Sequence, residues 1–417
     1  MDYIQQTIGF FSLLLAGIMF SNNLKAIRIR YIISAVSIQL ILALLLIKVP
    51  IVTGLFKYLS EGVLSLKYAS DQGVSFVFGY LADGAPNAPF EIIEPANTFI
   101  FAFAGLSLVI VVSALSALLW HWKIIPFFIN ALSVLFKKPL NVGGPAGLGA
   151  TANIIFGQVE APLLIKPYLS SMTKRELLIL MTVGMATISG SVMVVFVTFL
   201  DNIYDPSSLI GHFLIASIIS VPAAIMYANI MIPEDKKTEF PGSSESNLYS
   251  SSMDAITTGT SNGLNIFLNI IALLIVIIAL ITLVNIILLS MPDFNGLPLS
   301  LERVTGWFFS PVAWCMGIPW DEAQTAGELL GIKTIFNEFI AYMNLANLEP
   351  NMMSERSNLI MLYALCGFAN LGSVGILLSG LGVMAPTRKN DFIAVSGRAL
   401  VGAILASCMT GYIVGVI

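Results

Sequence analysis

The sequence predicts an all-α polytopic membrane protein, and three observations predict it. The first is composition: of 417 residues, 57% are hydrophobic and 11% charged, and the mean hydropathy is +0.88. A soluble domain carries about 25% charged residues. The second is a set of apolar runs of bilayer length. The third is a pair of apolar regions each interrupted by polar groups. The net charge of −4, with no basic face, excludes nucleic acid as a partner. Cys315, Cys366 and Cys408 are scattered through apolar segments without metal-ligand spacing, so they read as small core hydrophobes.

A bilayer core requires about 20 apolar residues per helix. Eight transmembrane helices are expected near 4–21, 31–50, 98–120, 176–200, 208–231, 264–290, 358–381 and 391–416. Met1–Gln6 has no basic n-region and no small-residue cleavage site follows Ile8–Phe20. The first run is therefore a retained span rather than a signal peptide. Regions 142–170 and 320–346 are expected as two re-entrant helical hairpins. Segments 54–82 and 121–139, with Lys spaced among Leu and Phe, suit interfacial helices.

Orientation follows from the basic residues. Lys25, Arg28, Arg30, Lys123, Lys137, Lys138, Lys174, Arg175, Lys236, Lys237, Arg388 and Lys389 fall on one side if neither hairpin crosses. Both termini are then outside, on the periplasmic face of a bacterial inner membrane. Segment 233–262 is the one long hydrophilic stretch and reads as a cytoplasmic linker.

The expected organisation has four parts. Residues 1–120 form N-terminal scaffold spans. Residues 121–232 form a first transport repeat, 233–300 the linker and scaffold span 6, and 301–417 a second transport repeat. Ala146-Gly147 and Ile155-Phe156 recur as Ala326-Gly327 and Ile335-Phe336, both at an offset of 180 (326 − 146 and 335 − 155). Gln158 then overlays Glu338 and Gly157 overlays Asn337. Thr173 to Glu176 is a capping box, and Ser354 is an N-cap at the matching place. With one hairpin entering from each side, this is an inverted repeat, as in many secondary transporters.

Buried polar groups gather on four elements. The first hairpin carries Asn153, Gln158 and Glu160, and the second carries Asn337 and Glu338. The fourth span carries Thr187, Ser189 and Ser191, and the seventh Asn370 and Ser373. A carboxylate at membrane depth costs about 3 kcal/mol or more, so it marks function. Small polar clusters in the two spans let the helices unwind beside a cavity. The tips hold no Arg or Lys, which disfavours an anionic substrate and favours a neutral ligand rich in hydroxyl and N–H groups. Glu338 suits a vicinal diol, and Gln158 the edge of a heterocycle. Asn153 and nearby carbonyls suit a hard monovalent cation.

Structural roles compete with these. Ser189 and Ser191 also suit helix–helix glue. An ion pair is the alternative for Glu160 and Glu338, but Lys333 lies five residues before Glu338, off the favourable helical spacing. Asp321, Glu322 and Glu328 belong at the outer mouth of the second hairpin. His121 and His212 sit at span ends, read as interfacial rather than as a proton relay. Trp307, Trp314 and Trp320 read as an interface belt.

The string Gly157-Gln158-Val159-Glu160-Ala161-Pro162-Leu163-Leu164-Ile165-Lys166-Pro167-Tyr168 resembles the first-hairpin signature of the concentrative nucleoside transporter family. Asn337-Glu338-Phe339 resembles the second. Cys366-Gly367-Phe368-Ala369-Asn370-Leu371, followed by Ser373, resembles the broken seventh span. Gly73 to Gly79 and Pro319-Trp320 also fit, so the likeness covers nearly the whole chain.

The resemblance implies a homotrimer in membrane lipid, with a transport domain moving against a scaffold in an elevator cycle. It implies nucleobase contacts from Gln158, Val159 and Glu160, and ribose contacts from Glu338, Asn370 and Ser373 with Phe368 close by. It implies a Na+ site at Asn153, Phe156, Thr187 and Ile188, largely through carbonyls. Relatives without the Asn at the place of Asn153 can use protons, so its presence favours sodium. Val159 stands where many relatives have Thr or Ser, which either broadens base selectivity or deletes a water-mediated contact.

The expected function is sodium-coupled nucleoside import with no prosthetic group. Proton coupling through Glu160 or Glu338 is the alternative on the same fold. An intramembrane enzyme using paired carboxylates is the alternative of another class. Against it, the chain has no His-Glu-x-x-His, nucleophile elbow or phosphate-binding glycine loop.

Overall fold

A computed structural model describes residues 3–82, 90, 100–137, 139–200, 204, 206–234, 236–238, 248–294, 296–349 and 351–417. Among them the only extended pairing is one isolated antiparallel bridge, Phe294 to Leu297. Helices α1 (Tyr3–Met19), α2 (Ile29–Lys48) and α3 (Pro50–Phe78) come first. A π-helical stretch, Ala102–Leu106, leads into α4 (Leu108–His121), and α5 (Ile124–Lys137) follows. The chain bends by 77° between α4 and α5, at Lys123, whose φ is +64°. The bend separates α4 from α5, which covers most of the stretch 121–139 where an interfacial helix is expected; Lys138 lies outside the described residues.

Two sets of five helices then follow in the same order. The first is α6 (Gly144–Ala152), α7 (Glu160–Leu163), α8 (Lys174–Ala186), α9 (Gly190–Leu200) and α10 (Pro206–Met231). Between the sets lies α11 (Ser252–Leu289), followed by α12 (Leu301–Cys315). The second set is α13 (Trp320–Ile335), α14 (Glu338–Ala346), α15 (Glu355–Ala364), α16 (Leu371–Met384) and α17 (Lys389–Val416). Expected spans 176–200 and 358–381 thus appear as α8 plus α9 and α15 plus α16, each broken in the middle. The expected span at 264–290 begins earlier, at Ser252, because Ser251 accepts from Asp254 N and caps the helix. Residues 239–247 of the linker lie outside the described residues.

Five stretches of the described chain are long and apolar enough to cross a membrane, and α1 and α16 are shorter apolar helices. Burial divides the long ones. In an apolar 18-residue window of Lys174–Val197, Ser208–Met231 and Pro386–Val416, 94%, 83% and 78% of the residues are buried within the chain. In the corresponding windows of Ile29–Lys48 and Ser252–Leu289 only 17% and 6% of the residues are buried. Apolar helices this exposed need lipid or another protein surface against them. The central helices form one core from side chains such as Leu177, Phe196, Phe213, Tyr342 and Tyr363.

Local sequence explains the packing. Thr173 accepts from Glu176 N while Glu176 Oε2 accepts from Thr173 N at 3.0 Å, a complete capping box that starts α8. Gly259 and Gly263 of α11 face α4. A Cβ on Gly259 would stand 2.8 Å from Ala114 Cα, and one on Gly263 2.7 Å from Ile110 Cα. Small residues four apart bring the two backbones together.

A buried polar cluster between two broken helices

The first tip is built where helix cannot continue. α6 ends at Ala152 with Asn153 as its C-cap, the chain runs without α-helix to Val159, and α7 starts at Glu160. Gly157 N donates to Glu160 Oε2 at 3.0 Å, turning that carboxylate back onto its own tip. The tip is tied to the break between α8 and α9. Thr187 leaves the helix with extended backbone. Its Oγ1 donates to Asn153 O at 3.2 Å and to Val183 O at 3.0 Å. Gly190 N donates to Ile155 O at 2.9 Å. Ser189 accepts from Val192 N at 3.4 Å and lies 3.1 Å from the Ser191 hydroxyl, so these serines serve the break itself.

Two oxygens at this tip are buried without a protein partner: Asn153 Oδ1 and Gln158 Oε1. Asn153 is fully buried, with its Nδ2 donating to Gly149 O at 3.0 Å. An unmet buried acceptor costs about 1–3 kcal/mol, which a cation or a ligand N–H would recover. Oxygen donors without charge suit a weakly held monovalent ion. No group of three or more His, Cys, Asp or Glu able to hold a metal occurs among the described residues. Of the other expected ion ligands, Ile188 N donates to Ser217 Oγ at 3.4 Å. The Phe156 ring lies edge-on to Trp120, centroids 5.4 Å apart.

The second tip is more tightly paired. Asn337 caps α14, its Oδ1 accepting from Ile340 N at 3.0 Å, while its Nδ2 is buried without a partner. Glu338, 2% exposed, accepts from Asn370 Nδ2 at 2.8 Å. Asn370 in turn caps α16, its Oδ1 accepting from Ser373 N at 2.7 Å. Glu338, Asn370 and Ser373 therefore form one cluster, and Phe368 packs partly buried against the core. Lys333 turns elsewhere, to Ala364 O at 2.7 Å and Ser407 Oγ at 2.8 Å.

The two breaks meet. Gly367 has φ +147°, and a Cβ there would lie 2.8 Å from Ala186 O, so only glycine fits this crossing. The first tip also reaches the second set of helices: a Cβ on Gly380 of α16 would stand 2.7 Å from Val159 Cγ1. Val159 therefore packs on α16, an apolar contact that the sequence did not reveal.

Glu160 lines a cavity of about 50 Å³ with Ser113, Ser191, Tyr249 and Asn262. Tyr249 and Asn262 were not foreseen; the run Ser261-Asn262-Gly263 inside an apolar helix was the available signal. His212 is also more than a span-end residue, because its Nδ1 lies 2.8 Å from the Tyr363 hydroxyl.

Comparison with known proteins gives this geometry a family. Residues 212–415 match the family described as Na+ dependent nucleoside transporter C-terminus, and residues 8–81 its N-terminus. Residues 103–202 match a nucleoside recognition (Gate) family. The chain is 34% identical to the nucleoside permease NupC of Helicobacter pylori, over 98% of this chain and 96% of the relative. It is 31% identical to human solute carrier family 28 member 3, over 99% of this chain and 60% of that protein. Its fold superposes on CNTnw in an inward-facing substrate-bound state with a TM-score of 0.89, at 31% identity, covering 99% of this chain and 98% of that one. The chain belongs to the Na+-dependent, concentrative nucleoside transporter family: it is a multi-pass nucleoside transporter, and not an enzyme.

Proposed function

We propose that the protein is a symporter that imports nucleosides down the sodium gradient across a bacterial inner membrane, with both termini periplasmic. The supporting observation is the set of unmet buried polar atoms on the two tips, Asn153 Oδ1, Gln158 Oε1 and Asn337 Nδ2. At the second tip Glu338 pairs with a neutral amide, that of Asn370. Such a site suits a neutral, hydrogen-bonding ligand together with a cation.

In this reading α6–α7 and α13–α14 are re-entrant hairpins of an inverted repeat. Eight spans and the interfacial helices complete the chain. Gln158 and Glu160, with the Val159 segment, meet the base. Glu338, Asn370 and Ser373 meet the ribose, with Phe368 beside it. Sodium sits at Asn153, Phe156, Thr187 and Ile188. Binding it between the first tip and the α8–α9 break orders Gln158 for the base, which couples the two ligands. A 100 mV potential and a tenfold sodium gradient together supply about 3.7 kcal/mol per ion, enough for several-hundred-fold accumulation.

The buried helices α8, α9, α10 and α17 and the two tips move as one body in an elevator-type cycle. The exposed apolar helices α2 and α11 belong to a scaffold that a homotrimer and lipid cover. Glu338→Gln tests the site in proteoliposomes. The expected outcome is loss of uridine uptake, and wild-type uptake by the variant would refute the assignment.

A further inference from the structure

Lys333 is a basic side chain, 1% exposed, that the transport reading above does not use. Isolating an ammonium in an apolar interior costs several kcal/mol unless strong acceptors surround it. The ion pairs within 4.0 Å described in this structure join Lys174 and Arg388 to Asp391 and leave Lys333 out. Its acceptors are Ala364 O, the last carbonyl of α15, and Ser407 Oγ, which itself donates to Ala403 O at 3.1 Å. A helix C-terminus carries the negative end of the dipole, so a cation is favoured there.

The register between the two sets of helices says what this position is. At the offset of 180 that joins Ile155-Phe156 to Ile335-Phe336, Lys333 overlays Asn153 (333 − 180). The next helix of each set, α8 and α15, stands at an offset of 181 (354 − 173). Thr173 and Ser354 are both N-caps. Arg175 reaches Asn229 Oδ1 and Lys236 O, and Arg356 reaches Gly415 O and Gly317 O, so each ties its helix start to the end of the last helix in its set. At that offset Ala364 overlays Val183 (364 − 181), whose carbonyl receives Thr187 N and Oγ1 beside Asn153. The first set thus has an unmet carboxamide oxygen next to the end of α8. At the same place the second set has an ammonium on the end of α15.

We propose that Lys333 is a tethered cation that takes, in the second half, the place sodium takes in the first. This rests on the reading that sodium binds at Asn153. The second tip is then held permanently in its cation-bound arrangement, which positions Glu338 through α13. Only the first tip responds to the ion, and one sodium moves with each nucleoside.

The test uses purified full-length protein, with uridine binding and thermal unfolding followed across sodium concentrations, and labelled sodium and uridine fluxes compared in proteoliposomes. Wild type is expected to move one sodium per uridine; a ratio of two overturns the proposal and needs no variant. Lys333→Asn, which recreates the first half's carboxamide, is expected to steepen the sodium dependence of uridine binding from first to second power. An unchanged first-power curve with intact binding overturns the proposal. Lys333→Met is expected to weaken uridine binding at least about tenfold, with Lys333→Arg recovering most of it. A folded Lys333→Met that binds as wild type refutes the tethered cation. Asn153→Ala is run in parallel: persistence of the wild-type sodium curve there rejects the sodium site itself, whatever the Lys333 variants do.

Discussion

At the first tip, Asn153 and Gln158 each bury an oxygen that no protein group meets, whereas at the second, Glu338 is held by Asn370 and Asn370 by the start of α16. The helices differ in the same sense. α6 has 9 residues and α7 has 4, against 16 for α13 and 9 for α14. Apart from Asn337 Nδ2, the second tip is closed by its own hydrogen bonds, while the first lacks partners for two oxygens that an ion and a ligand can supply. A site with one preformed and one unfinished wall has a physical reason to couple: an ion bound as proposed would complete the wall that the protein leaves open.

The largest effect expected from breaking this asymmetry is Glu338→Gln, given above, because it weakens the preformed wall at the proposed ribose contact. Next is Gly367→Val. The side chain meets Ala186 O and the backbone at φ +147° excludes it. The crossing of the two breaks must shift, which is expected to lower the unfolding midpoint by several degrees and abolish uptake. Uptake at the wild-type rate would show that the crossing tolerates separation.

Asn153→Ala acts on the unfinished wall alone. It is expected to raise the sodium needed for half-maximal uptake about tenfold, equal to about 1.4 kcal/mol, with little change at saturating sodium. Smallest is Thr173→Ala, which removes the α8 cap far from the tips. It is expected to cost about 1 kcal/mol of stability and leave the uridine KM unchanged. A changed KM would tie the cap to the site.

Much of the architecture was legible because breaks in apolar helices have a local cause. Gly157 to Pro162 marked the first tip, and the clusters around Ser189 and Asn370 marked the two helix breaks. The capping box at Thr173 marked the start of α8 to the residue. What could not be read depends on partners far along the chain. The Gly367 approach to Ala186 O, the His212–Tyr363 pair and the turning of Lys333 to Ala364 and Ser407 each join distant segments. The spacing from Lys333 to Glu338 spoke against an ion pair but not for another acceptor. Val159, read by its missing hydroxyl, turned out to pack against Gly380, which identifies a steric role beside any lost polar one.

The central claim is that sodium completes the first tip and so drives nucleoside uptake. Its most direct test is uptake of labelled uridine and adenosine into proteoliposomes, with the sodium and proton gradients imposed independently. The account predicts concentrative uptake under an inward sodium gradient at equal pH on both sides, and none under a pH gradient without sodium. Uptake that follows the pH gradient and ignores sodium would contradict it.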